Sequence, residues 1–265
     1  MLTLYMRLVG ARIRAQMQYR ASFIFELFGF ALVTGVEFGV LLILFNRFDA
    51  VGGWSLYEVA ILYGLSSISL SLVEMIGRGF DAPFERMMQQ GAFDGILLRP
   101  WGTFFQILAS EFQVRRLGRT IQGFGALMFG IAGLTISWTS AKIVLLVLAA
   151  LSGSLIYLGL FVIGATICFW TIKTPEVLNA FIFGGQQLTS YPLSIYSEAI
   201  RVIFLSIVPL GMAIYPATLY LLDRSDPHGL PVGLAWAAFP AALLFLALSL
   251  AFWRYGVSKY QSVGS

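Results

Sequence analysis

Charge is scarce in this sequence. Asp, Glu, Lys and Arg together supply 11% of 265 residues, where a soluble domain carries about a quarter. That excludes an ordinary soluble fold. With 58% hydrophobic residues and a mean hydropathy of +0.83, a polytopic membrane protein is left. Cysteine and histidine occur once each, as Cys168 and His228. A disulfide framework is thereby excluded, as is a metal site built from a His/Cys cluster of one chain. Lysine is limited to Lys142, Lys173 and Lys259. None follows a glycine-rich turn, and there is no G-x-x-x-x-G-K-[ST] phosphate loop. H-E-x-x-H and G-x-S-x-G are missing too, and His228 reads as a turn residue. The expectation is a chain that is not itself an enzyme. The first apolar run is too long for the core of a cleavable signal peptide and lacks a small-x-small exit, so it is expected to stay as a span.

Apolar runs are what the chain has in abundance. Residues 1–20 come first, with Leu2, Tyr5, Met6, Val9, Ile13 and Met17 at helical spacing and Arg7, Arg14 and Gln18 opposite. That pattern predicts an amphipathic helix lying in the headgroup layer. Spans are expected over 22–45, 57–77, 120–138, 143–170, from about 175 to 191, and over 233–253. Between the last two, 193–222 is apolar but punctuated by Glu198, Arg201, Pro209 and Pro216. It reads either as a further span or as two short helices that dip into the membrane and return. With a re-entrant 193–222 and both ends cytoplasmic, thirteen of the 17 basic residues fall inside. Only Arg47, Lys142, Arg201 and Arg224 stay outside, the bias expected of such loops. The expected fold is therefore all-α: one transmembrane domain over 1–265, six spans, in the plasma membrane.

Few polar groups enter the spans. Glu26 and Glu37 are eleven residues apart, which places them about 20° apart on one helical face. Each costs about 2.5–3.5 kcal/mol near mid-bilayer, so both should face protein or an aqueous path. Glu37 suits an interhelical hydrogen bond from a partly protonated side chain, or contact with substrate. Glu26, nearer the surface, suits snorkelling or a basic partner. Glu74 lies near the end of the second span. Gly35 and Gly39 form a G-x-x-x-G patch. Gln186 and Gln187, in the least apolar span, would face a second chain or pack within their own.

The longest polar interruption is 78–103, RGFDAPFERMMQQGAFDGILLRPWGT. Asp81 is placed to cap a helix, Pro83 falls in its first turn, Glu85 lies near its positive end, and Gly91 stands where a left-handed stop would fall. A helix over 82–90 is too short to persist alone. It is expected to dock on a soluble partner, with Phe84, Met87 and Met88 filling a groove and Glu85 and Arg86 setting register. Arg99, Pro100 and Trp101 would re-anchor the chain at the membrane surface. The plainer alternative is a solvated loop.

Three features together carry a resemblance: the basic amphipathic start, GAFDGILLRPWG (91–102), and SYPLSIYSEAIRVIFLSIVPLGMAIYP (190–216). They resemble the permease subunits of type-2 ATP-binding-cassette exporters, in the small six-span form without a fused ATPase. The resemblance implies that 78–103 docks on a separate ATPase subunit. That subunit binds ATP and Mg²⁺, and this chain holds no cofactor. It further implies that two permease chains pair around a central path and that 193–222 is a re-entrant hairpin. No nucleic-acid partner is expected. Cargo in that family ranges over drugs, lipids, polysaccharides and ions, and nothing in the sequence selects among them. Two other classes remain open: an ion-coupled transporter with Glu26, Glu37 and Glu74 as a relay, and a scaffold recruiting a cytoplasmic protein. No two-half internal repeat favours the former.

Overall fold

A computed structural model defines the fold over residues 20–174 and 176–261, with Gly10, Ile13, Arg14 and Gln18 ahead of them. The interfacial helix expected over 1–20 lies almost wholly outside the described residues. Among those described, the only pairing outside helices is an isolated bridge between Val51 and Trp54. The helices are α1 Arg20–Arg47, α2 Leu56–Ile76, α3 Ala82–Gln89, α4 Asp94–Leu97, α5 Thr103–Ser110, α6 Leu117–Ala132 and α7 Ser140–Thr171. α8, Glu176–Asn179, runs through a π turn at Ala180–Gly184 into α9, Gly185–Thr189. α10, Glu198–Val202, ends in a second π turn, Ile203–Ile207, and is followed by α11 Leu210–Leu221 and α12 Leu234–Lys259.

Four of these, α1, α2, α7 and α12, are long and apolar enough to cross a membrane. A fifth crossing is possible if the α10–α11 pair, bent by 100°, counts as one span. The third expected span is shorter than its apolar run suggested. α6 has 16 residues, roughly 24 Å, and 135–139 lacks regular structure. The extended segment has another task there. The Ser137 hydroxyl lies 3.1 Å from the Asp223 carboxylate, and Thr139 accepts the Lys142 amide to start α7. α8 and α9 are also short, because Ser190–Pro192 ends the run.

α2 is the hub, buried along nearly its whole length between α6 and α7. A capping box fixes its start: the Ser55 amide donates to the Glu58 carboxylate at 2.7 Å and the Glu58 amide to the Ser55 hydroxyl at 3.4 Å. Lipid tails are as apolar as leucine, so helices join in a bilayer through close backbone approach and polar contacts. α2 uses both. A Cβ at Gly64 would stand 2.7 Å from the Leu127 nitrogen and 2.8 Å from the Gly123 carbonyl oxygen on α6. Ser66 donates to the Gln186 carbonyl at 3.0 Å, and Ser69 to the Ala150 carbonyl at 3.1 Å. α7 in turn packs on α11 and α12, while α1 lies at the edge against α6. Its Gly35 and Gly39 have open space beside them.

The end carrying the α2 N-terminus is tied by charge. Arg224 donates to Glu58 at 2.9 Å and lies over the buried Trp54 ring at 4.6 Å. The buried Asp226 accepts from Arg201 at 3.0 Å and from the Tyr215 hydroxyl at 2.7 Å, joining both arms of the bent pair. The close α2–α6 approach yields a direct test. Gly64→Leu should lower the thermal midpoint in detergent, at a cost of about 1–3 kcal/mol. Gly125→Leu, beside open space on the same helix pair, should not. Equal midpoints for the two variants would contradict a glycine-dependent seam.

Candidate functional site

The opposite end of α2 gathers the residues singled out in the sequence. Glu74 sits in the last turn of α2, two residues before it stops, and its side chain is only 1% exposed. Three guanidinium groups surround it: Arg116 at 3.2 Å, Arg119 at 3.5 Å and Arg78 at 3.6 Å. Burial lowers the pKa of Arg116 from its ordinary value while the Glu74 charge opposes the shift; an arginine stays charged through such a change. Arg119 extends the network into the membrane helices, reaching Glu37 on α1 at 3.4 Å and the Gln186 side-chain oxygen on α9 at 3.3 Å. Arg115 pairs with Glu26 on α1 at 3.1 Å, the basic partner expected of that residue. Arg78 closes the set on Asp81 at 2.7 Å. Arg78, Arg116 and Arg119 and the carboxylates of Glu37, Glu74 and Asp81 thus form one web across α1, α2, α6 and the root of the 78–103 loop, with the Arg115–Glu26 pair a further tie between α1 and the segment before α6.

Several expectations change here. Asp81 occupies the N-cap position of α3 but makes no capping hydrogen bond, because its carboxylate is taken by Arg78. Glu37 makes its interhelical contact with the Arg119 guanidinium at 3.4 Å. Gln186 is buried inside its own chain, held by Arg119 and Ser190, so it does not face outward. Gln187, one residue on, is exposed.

α3 forms over Ala82–Gln89 with Pro83 in its first turn, and Gly91 ends it at φ +64°. Its orientation is the larger correction. Phe84 and Met88 are fully buried in this chain and cannot fill a groove on a partner. Phe84 packs on Phe93 at 5.7 Å, Phe169 at 5.6 Å and Trp253 at 5.4 Å between ring centroids. Phe93 stacks edge-on against Tyr260 at 5.0 Å, and Phe80 against Trp253 at 5.3 Å. The Trp253 indole N–H donates to Thr103 at 3.1 Å. An aromatic cage therefore bolts the loop to the ends of α7 and α12. Sequence reasoning missed Phe93, Phe169, Trp253 and Tyr260 as members. Only the shared chemistry of rings near span ends hinted at them, since their separations span most of the chain.

Glu85 is also more than a surface charge. Its carboxylate accepts the Thr174 amide at 3.3 Å and the Gln89 side chain at 3.2 Å, tying α3 to the link after α7. That link begins at Ile172, held at φ +62°, a left-handed conformation that costs a β-branched residue on the order of 1–3 kcal/mol. Met87 is half-buried against the core. What α3 presents outward is Ala82, Arg86 and Gln89. From the end of α4 the loop exposes Leu97, Leu98, Arg99, Pro100 and Trp101, and Leu98 is 87% exposed. Among the described residues no cluster of three metal-ligating side chains occurs.

Removing the centre of the web should be costly. Glu74→Ala leaves three arginines facing a buried gap and should destabilise the protein by about 3–5 kcal/mol. Glu26→Ala breaks an exposed pair and should cost no more than about 1 kcal/mol. Thermal unfolding of both in detergent measures the contrast, and similar small shifts would mean that Glu74 does not hold the web.

Comparison with known proteins bears on the whole arrangement. A family model described as "ABC-2 family transporter protein" matches residues 31–264. Neither the curated proteins nor the solved structures include a match to this chain. The match covers the central helix, the charges gathered around Glu74, the 78–103 loop and the bent pair in one continuous stretch: the chain belongs to the ABC-2 transporter family.

Proposed function

We propose that this chain is the permease subunit of an ATP-driven exporter that moves substrate out of the cytoplasm. In this reading it works with separate ATPase subunits, which bind ATP and Mg²⁺, and with a second permease chain. α6 and the α8–α9 helix complete a six-span bundle, shorter than their partners and reaching the surface through their flanking segments. The bent α10–α11 pair is the re-entrant hairpin. Both termini face the cytoplasm of the cell, with the charge bias described above.

The observation that carries the reading is the mounting of α3. A permease without a nucleotide site must receive mechanical work through a stiff contact. Phe84 locks α3 to α7 and α12, and Asp81 with Arg78 links it to the web around Glu74. Its outward surface is then free to meet the ATPase with Arg86 and Gln89, alongside Leu98 exposed further along the loop. A proton relay through Glu26, Glu37 and Glu74 has less support, because each carboxylate already faces an arginine. Gln187 and the open flank of Gly184 next to it suit a seam with the second chain, where an amide finds a partner that lipid does not provide.

The test separates docking from folding. Phe84→Ala should now lower the stability of the permease itself by about 3–5 kcal/mol. Leu98→Asp and Arg86→Glu should keep wild-type thermal midpoints and lose co-purified ATPase, equivalent to about 1–2 kcal/mol of binding for each. Wild-type ATPase recovery in both surface variants would move the docking contact away from this loop. For pairing, a cysteine at Gln187 on a Cys168→Ser background should crosslink two chains, and a monomer band under oxidising conditions would count against that seam.

A further inference from the structure

We infer that a groove on the outer face of α7 and α12 is a binding site for one anionic phospholipid of the leaflet at the loop end. The groove, about 520 Å³, lies between α7, the π turn after α10, α11 and α12. Ile163, Leu205, Met212, Leu244, Leu248 and Phe252 are among the residues that line it. The volume is within the range of small-ligand sites, about 300–1,000 Å³, and the lining suits a hydrocarbon chain.

What specifies the occupant is the way the groove ends. On α12 the lining residues Leu244, Leu248 and Phe252 recur every four residues, and Tyr255 and Lys259 continue the same helical stripe. On α7, Trp170 follows Ile163 by seven residues, again on one face. The Trp170 ring stacks on Phe252 at 5.9 Å and approaches Tyr255 at 6.1 Å. The Lys259 ammonium sits over the Tyr255 ring at 5.7 Å. An apolar slot thus runs into two amphipathic rings and then into an exposed cation, the order in which a lipid presents acyl chain, glycerol region and phosphate.

The dimensions and the charge agree. From Leu244 to Lys259 the helix rises roughly 22 Å, about half of a bilayer that measures ~40–45 Å with its headgroups. The Lys259 end is also the end that holds the aromatic cage, since Trp253 packs beneath Phe84. No Asp or Glu occurs from 143 to 174 or from 241 to 261, so no carboxylate on α7 or α12 competes for the ammonium. Arg254 lies about 140° round the helix from Lys259 and belongs to another face. The deep end of the slot touches Leu205, Pro209 and Met212, so a bound acyl chain rests against the bend between α10 and α11.

The experiment uses the purified full chain in detergent, incubated with equal amounts of dioleoyl phosphatidylglycerol and dioleoyl phosphatidylcholine, and reads retained lipid by native mass spectrometry. Wild-type protein should retain phosphatidylglycerol over phosphatidylcholine. Lys259→Gln should reduce that ratio about fivefold, the effect of one basic residue at an anionic surface. Arg254→Gln should leave it unchanged. Leu248→Trp, projecting from an exposed position into the slot, should reduce retention of both lipids without lowering the thermal midpoint. A wild-type chain that retains both lipids alike, a Lys259→Gln ratio equal to wild type, an Arg254→Gln loss as large as that of Lys259→Gln, or full retention in Leu248→Trp would each overturn the site.

Discussion

A carboxylate buried at the foot of the central helix sets the constraints on everything around it. Glu74 has almost no contact with solvent, so its charge must be met by the protein. Arg78, Arg116 and Arg119 meet it from three directions. Each is then obliged to find further acceptors, because three cations exceed one anion. Asp81 supplies one for Arg78, the Gln113 side chain one for Arg116, and Glu37 and the Gln186 side chain those of Arg119. The need for charge balance therefore spreads outward from one side chain and fixes the root of the loop, the angle of α1 and the depth of α9 together. Buried pairs of this kind add little net stability, but they permit few alternative arrangements.

The aromatic cage does a different kind of job. Ring packing buries a large area and favours edge-on contacts, which most of these rings make. Phe84, Phe93, Phe169 and Trp253 bring α3, the loop beyond it, α7 and α12 into one body. A force applied to the outer face of α3 would be passed to two long helices directly and to α2 through Arg78. The strained Ile172 and the Glu85–Thr174 bond lie in the same junction, so the link from α7 to α8 is held by the loop as well.

Between the charged ends the bundle is joined by small residues. Gly64 and Gly123 let α2 and α6 approach until backbone touches backbone, and the serines of α2 donate to carbonyls of neighbouring helices. Neither device depends on excluding water, which suits an environment where hydrophobic burial between helices gives little. The loose edge is elsewhere. α1 leaves Gly35 and Gly39 uncovered, and α7 and α12 leave an apolar slot open toward lipid.

The sequence alone determined the class of molecule, the bounds of α1, α2 and α7 to within a few residues, the start of α12 though not its end six residues further on, and the short helix of the loop with its Pro83 start and Gly91 stop. These follow from local causes: run length, backbone-restricting residues and the cost of charge in hydrocarbon. The loop's resemblance to exporter permeases was likewise legible, because it rests on contiguous residues. The direction each side chain faces was decided only by tertiary structure. Phe84 and Met88 look the same in sequence whether they wait for a partner or fill their own core, and the deciding neighbours, Phe169 and Trp253, lie 85 and 169 positions beyond Phe84. Gln186 and Gln187 are likewise alike until Arg119 selects one. Arg78 stands four residues after Glu74 and is within reach of local spacing, but Arg115, Arg116 and Arg119, which meet Glu26, Glu74 and Glu37, come from a distant segment that spacing could not assign. Charge must be paired at the place where chains of packing bring the groups together, and a linear sequence carries no record of that place.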